Sequence, residues 1–355
     1  MPCTHARTWT VAVGGIVLDS RFMTENHAPR VLKASSLVDL IDVVPALFGF
    51  HPRESFIAIS THGPRRRFGL HARIDLPQPV DAELVADMVM GQVHHQKPDG
   101  VILMCFSDDQ GAADAMMAAA RDRLGPISLD EAARVGSDRF WSYLCSDVCC
   151  PPEGVPFDTG SGVLLAEAIY AGLSVLPDRD ALVDTIAAVT SPEFDQMVRA
   201  TEVALGLAAS ALTGPDTVDS LAEGLRRVDP ALSRVLAGGA DFSDDEVATI
   251  SVWMTAIAVR DEMWTRMTRA NARAHVDLWT RVARRVVPPF EPAVLSLLAF
   301  ACWLNGNGVL CRAALERAFE GDPDYSMALL IEQTLDSAIS PDLWSGFLHD
   351  QGETA

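Results

Sequence analysis

Phe140-Trp141-Ser142-Tyr143-Leu144-Cys145-Ser146-Asp147-Val148-Cys149-Cys150-Pro151-Pro152-Glu153-Gly154 divides the chain. Three cysteines fall in the six positions 145–150, and Pro151-Pro152 is a turn signal. Phe140 to Tyr143 reads as a strand leading into that turn. Before the stretch, strand-like and helix-like patterns alternate, and after it strand signals nearly vanish. It therefore sets the fold class. We expect an α/β N-terminal domain with a mixed sheet of about five strands, then an all-α C-terminal domain.

Working back from it, Arg139–Leu144 and Ile127–Val135 read as strands joined by the turn Gly136-Ser137-Asp138. Val101–Phe106 has no polar residue, as a central strand covered on both faces requires. Phe56–Ser60 and Phe68–Leu76 read as a hairpin whose tip carries Arg65-Arg66-Arg67. Helices are expected over 81–95 and 112–124, giving a right-handed strand–helix–strand crossover. Ser35-Ser36 opens an earlier helix with Leu37, Leu40, Ile41 and Val44 on one face and Asp39 and Asp42 on the other. Pro45 is expected to kink or restart it. Residues 1–30 read as a loose tail. Val11–Leu18 after Arg7 faintly resembles a signal peptide without a small-x-small cleavage site, and Met23 offers an alternative start.

Working forward, Val163–Leu173, Asp180–Val189, Pro192–Leu212 and Thr217–Val228 suit helices punctuated by Pro177, Pro192, Pro215 and Pro230. Ala237-Gly238-Gly239-Ala240 reads as a linker. Ser243 with Glu246 forms a capping box opening a helix from Asp244 to about Ala270. His275–Val286 and three more helices joined by short turns complete the chain. Trp303-Leu304-Asn305-Gly306, Ala313-Ala314, Ala318 and Pro323 suggest a tetratricopeptide-like helical hairpin, with an ordinary antiparallel bundle as the alternative. The expected plan is a tail over 1–30, the α/β domain over 31–155, a helical segment over 156–240, a helical domain over 241–345 and a tail over 346–355.

A chain of 355 residues suits two cores. A net charge of −20 argues against general nucleic-acid binding, which needs a positive field. Seven cysteines, an odd number spread along a long chain, do not form a secreted disulfide framework. We expect a cytoplasmic protein with reduced thiols. The apolar runs fall short of the roughly 18–20 residues of a membrane span. Lys33 and Lys97 are the only lysines, which disfavours Schiff-base chemistry. No phosphate-binding glycine loop, His-Glu-x-x-His or nucleophile elbow is present.

Leu47-Phe48-Gly49-Phe50-His51-Pro52, Ala72-Arg73-Ile74-Asp75-Leu76-Pro77, the Phe140–Gly154 stretch and Asp322-Pro323-Asp324-Tyr325-Ser326 together resemble an uncharacterised actinobacterial family, the domain of unknown function 4192. The resemblance implies a bacterial cytoplasmic protein and a shared fold, and carries no activity.

The candidate metal ligands are Cys145, Cys149 and Cys150, since thiolates suit zinc and a tetrahedral site needs four donors. Cys105 and the histidines His51, His62, His71, His94 and His95 are fourth-donor candidates in the same domain. Adjacent Cys149 and Cys150 are expected to diverge. Cys145 and Cys149 are alternatively a redox pair, and a structural turn accounts for all three thiols without either. Arg53, Arg65, Arg66 and Arg67 would gather at one end of the sheet and grip an anion. His94-His95 complements a helix C-terminus. Arg260, Arg266, Arg269, Arg273, Arg281, Arg284 and Arg285 face nucleic acid, an acidic partner or acidic residues of this same chain. The expected function is a non-enzymatic regulatory or scaffold protein whose helical domain binds a protein partner, with no cofactor assigned. The alternative is an enzyme or metal/thiol protein with a site near Cys145, Cys149, Cys150, Arg53 and Asp75.

Overall fold

The computed structural model describes residues 8–13, 30–158, 162–170, 174–212 and 217–344. It divides into two compact units, one through residue 181 and one from residue 182.

In the first unit, β1 (Trp9–Val13) and β2 (Arg30–Ala34) precede α1 (Leu37–Phe48). β3 (Ser55–His62) and β4 (Arg67–Asp75) form the expected hairpin, followed by a 3-10 turn at Pro79–Asp81 and α2 (Ala82–His95). β5 (Gly100–Phe106), α3 (Gln110–Asp122), β6 (Ser128–Val135), β7 (Arg139–Ser142), β8 (Val155–Pro156) and α4 (Val163–Tyr170) follow. The sheet order is β2-β1-β4-β3-β5-β6-β7-β8. The mixed sheet thus has eight strands, correcting the expected five. All five expected strands are present. β1 and β2 are added on one side, with Trp9 buried in the stretch expected to be a tail, and β8 on the other.

β5 lies between antiparallel β3 and parallel β6, and every one of its residues is buried, as its unbroken apolar run requires. Phe56, Ala58, Leu103 and Cys105 face α2 and α3 in one core layer. The opposite face is covered by α1, where the Phe48 ring meets His71 edge-on at 5.5 Å. Val43 and Ala46 of α1 pack there against Leu165 and Ala168 of α4. Ser36 caps α1 by accepting from the Asp39 amide, and Gly49 closes it at φ +80°. Pro45 lies inside α1 and does not restart it. Asp42, expected on the outer side, is only 6% exposed, because α4 covers that flank.

α5 (Arg179–Asp184) carries the boundary between the units. The second unit continues with α6 (Glu193–Leu212), α7 (Thr217–Leu236), α8 (Asp244–Trp253), α9 (Ile257–Thr265), α10 (Ala272–Ala283), α11 (Glu291–Leu304), α12 (Gly308–Gly321) and α13 (Ser326–Asp336). α7 continues through Pro230, past its expected end at Val228. The single helix expected from Asp244 to about Ala270 is two. The Thr255 hydroxyl donates to the Val252 carbonyl, competing with the helical pattern where the chain turns. Every residue of α11 from Pro292 to Leu304 is buried, and α10, α12 and α13 pack around it. Gly306 at φ +76° and the Asn307 cap close the α11–α12 turn, and Ala313, Ala314 and Ala318 are buried in the packing.

Candidate functional site

The cysteine-rich stretch is the loop of the β7–β8 hairpin, and its geometry is built by named contacts. β7 and β8 pair through Arg139 with Pro156 and Phe140 with Val155. The Arg139 guanidinium donates to the Gly154 carbonyl at 2.9 Å, and the Trp141 indole N–H donates to the Pro152 carbonyl at 3.1 Å. The buried Arg134 guanidinium stacks on the other side of the hairpin, 3.5 Å from the Trp141 ring centre. Within the loop the Ser142 hydroxyl accepts from the Leu144 and Cys145 amides, and the Cys150 amide donates to the Asp147 carbonyl.

That folding brings the three sulfurs together. The Sγ atoms of Cys145, Cys149 and Cys150 all lie within 4.8 Å of one another, and each residue is half-buried. The expected divergence of Cys149 and Cys150 does not occur, because the Asp147–Cys150 turn rotates the chain between them. Zn–S bonds of about 2.3 Å in a tetrahedron place sulfurs about 3.8 Å apart. The Cys145–Cys149 separation is 3.6 Å, close to that spacing and far beyond the roughly 2.05 Å of a disulfide. The three thiols can therefore hold a soft or borderline metal ion with small side-chain adjustments.

The other sequence candidates are placed as follows. Arg53 precedes the first residue of β3, whereas Arg65–Arg67 follow its last, so the four arginines do not gather at one end of the sheet. Arg66 forms an ion pair with Asp130, whose carboxylate also accepts from Thr61 at 2.6 Å. Two strands, β5 and β6, lie between β3, which Arg53 precedes, and β7, and three lie between β4, which Asp75 ends, and β7, so neither residue adjoins the thiol hairpin. Cys105 is fully buried and its thiol donates to the Ala113 carbonyl; burial pushes its pKa up to about 12. Both His94 and His95 lie in the last turn of α2, and His94 meets the Arg123 carbonyl. Of the candidate arginines of the helical unit, all but Arg284 have an ion pair with an acidic residue of the same chain among the described residues. Arg266 pairs with Asp229 and Glu262, Arg269 with Asp342, Arg281 with Asp241, and Arg285 with Asp244.

A second feature was not singled out from the sequence. A cleft of about 760 Å3 opens at the end of the sheet where β3 begins and β5 and β6 finish. The chain reaches β3 from α1 on one face and leaves β5 for α3 on the other, so the connecting loops diverge and leave a crevice. The only sequence signal was the polar residues on both sides, His51-Pro52-Arg53-Glu54 and Ser107-Asp108. Glu54 holds a positive φ of 40°, rare for a side-chain-bearing residue. It is fixed there by its carbonyl, which accepts from the Leu76 amide, and by its carboxylate, which accepts from the Ser107 hydroxyl at 2.7 Å. Asp108 accepts from the Ser137 amide at 3.0 Å. Burial and the charge of Arg53 lower the His51 pKa, so its ring is neutral near pH 7.

Among the described residues, no helix is long and apolar enough to cross a membrane. A family model described as a domain of unknown function (DUF4192) matches residues 38–342. No curated protein and no solved structure matches the chain.

Proposed function

The chain belongs to the DUF4192 family, whose description assigns no chemistry, and we propose from the geometry that it is a cytoplasmic binding protein holding one zinc ion on Cys145, Cys149 and Cys150. In this reading its helical unit binds a protein partner and the chain catalyses no reaction. The observation that carries it is the convergence of three sulfurs within 4.8 Å on one braced hairpin loop. Three thiolates and one divalent ion sum to a charge of −1. Such an electron-rich centre polarises a bound water weakly, which favours a structural or docking role over hydrolysis. The fourth position would be taken by water or by a donor from the partner. For the helical unit, the support is the hairpin packing of α11 to α13 and the exposed apolar side chains of α6, where Val203 and Leu207 are 63% and 70% exposed.

Elemental analysis of the purified full chain is the test. The expected result is about one zinc per chain, lost on Cys149→Ser or Cys150→Ser substitution and on treatment with a chelator. A metal-free chain with three freely reacting thiols would refute the metal reading. The 3.6 Å Cys145–Cys149 separation supports a second reading, a reversible dithiol. Thiol counting separates the two, since oxidation of that pair removes two thiols while Cys150 stays reactive. For the partner, a pulldown with the full chain that returns no specific protein, together with turnover in an activity screen, would reverse the non-enzymatic assignment.

A further inference from the structure

Asp42 carries an inference independent of the thiol loop. It lies on α1, is only 6% exposed, and its carboxyl lines the sheet-end cleft. Among the described residues no hydrogen bond or ion pair reaches that carboxyl. Its pKa is raised, first by burial and then by the charge of Asp39, and no donor among the described residues offsets either effect. A buried carboxylate left so is unfavourable, since desolvation penalises its charge without compensation. Gly162, just before α4, lies so close that an added Cβ would fall 1.7 Å from an Asp42 carboxylate oxygen. The backbone there leaves room for the carboxyl and no side chain.

The charge of the cleft is predominantly negative. Asp42, Glu54 and Asp108 contribute three carboxylates against the single guanidinium of Arg53, with His51 neutral. Ile41, Pro45, Phe106 and Leu165 supply apolar wall. The carboxyls of Glu54 and Asp108 are held by Ser107 and by the Ser137 amide, so they are oriented and still have accepting capacity. Among the described residues the cleft carboxylates do not converge on one point as a bare metal ion would require. An anion would meet three like charges. An elongated cation with an apolar body fits both the charge and the wall.

We propose that this cleft binds a small organic molecule bearing a primary ammonium group, which donates to the Asp42 carboxylate, while Glu54 and Asp108 attract the positive charge at the mouth.

The test is calorimetric titration of the full chain with 1,4-diaminobutane, with 1-butanol and butyrate as neutral and anionic controls. The amine is expected to bind saturably and the controls not to bind. A 4-aminobutyrate arm distinguishes an amine from a zwitterion. Its binding tighter than the diamine would place a carboxylate on Arg53 and still support the ammonium contact at Asp42. Asp42→Asn is expected to weaken amine binding by about tenfold or more, the scale of losing a charge-assisted hydrogen bond. It should leave the melting temperature of the unliganded protein unchanged or raised, because it removes a buried, uncompensated charge. Asp108→Asn, at the exposed mouth, keeps the fold intact and should weaken binding about two- to fivefold by removing one attracting charge. Butyrate binding in place of the amine would overturn the proposal. So would unaltered amine binding by Asp42→Asn, a marked loss of stability in that variant, or no saturable amine binding at all.

Discussion

Gly154 shows how much one residue can decide. It holds φ +82°, and an added Cβ would meet the Trp141 indole at 2.6 Å. Gly154→Ala is therefore expected to cost about 1–3 kcal/mol from backbone strain and the displaced indole. The same change should loosen the hairpin loop and lower zinc retention, read by urea unfolding alongside elemental analysis. His275 is a second case. It is 6% exposed, its Nδ1 has no hydrogen-bond partner among the described residues, and burial, with a lesser push from Arg266, lowers its pKa to about 4. The unfolded chain takes up this proton near pH 6.5 and the folded chain only near pH 4. Between those values the unfolded state binds more protons, so stability is lost as pH falls. The full window amounts to roughly 3 kcal/mol. His275→Leu is expected to flatten that part of the profile in chemical denaturation between pH 7 and pH 4. The cysteines were legible in the sequence, but their convergence was not, because it depends on a turn set by the Asp147–Cys150 hydrogen bond. Asp42 was misplaced for a related reason: helical periodicity separates two faces but cannot show that a later helix covers the polar one.

Among the elements, α12 is tied to its surroundings by one side chain. Arg317 donates to the Ile186 carbonyl at 2.7 Å, the Ala283 carbonyl at 2.8 Å and the Glu291 carboxylate at 2.6 Å. Arg317→Ala strands two carbonyls and a carboxylate of low exposure, and is expected to cost about 2–4 kcal/mol in denaturant unfolding. Arg317→Lys should recover little, since a single ammonium cannot span the fork. The capping box of α8 was readable directly from Ser243 and Glu246, and both of its hydrogen bonds are present. Glu246 also takes a two-pronged contact from Arg234, the first cause of a pKa lowered to about 2. The five expected strands were legible because each is an apolar or alternating run bounded by turn residues. β8 was not, since two residues have no period and its existence rests on pairing with β7.

For the whole molecule, the sequence indicated an α/β portion followed by a helical one, and the structure divides into two compact units. The division falls after residue 181, the thiol stretch marks the last hairpin of the sheet, and α4 returns to pack on α1. Each unit has its own buried core, so scanning calorimetry of the full chain is expected to show a calorimetric enthalpy exceeding the van't Hoff value, the mark of more than one cooperative step. A single two-state transition would show instead that the units melt as one. The sheet's outermost member, β8, comprises only Val155 and Pro156, and a proline has no amide hydrogen to offer. On that flank a stray strand finds almost no ladder to extend, so runaway fibril growth has little foothold there.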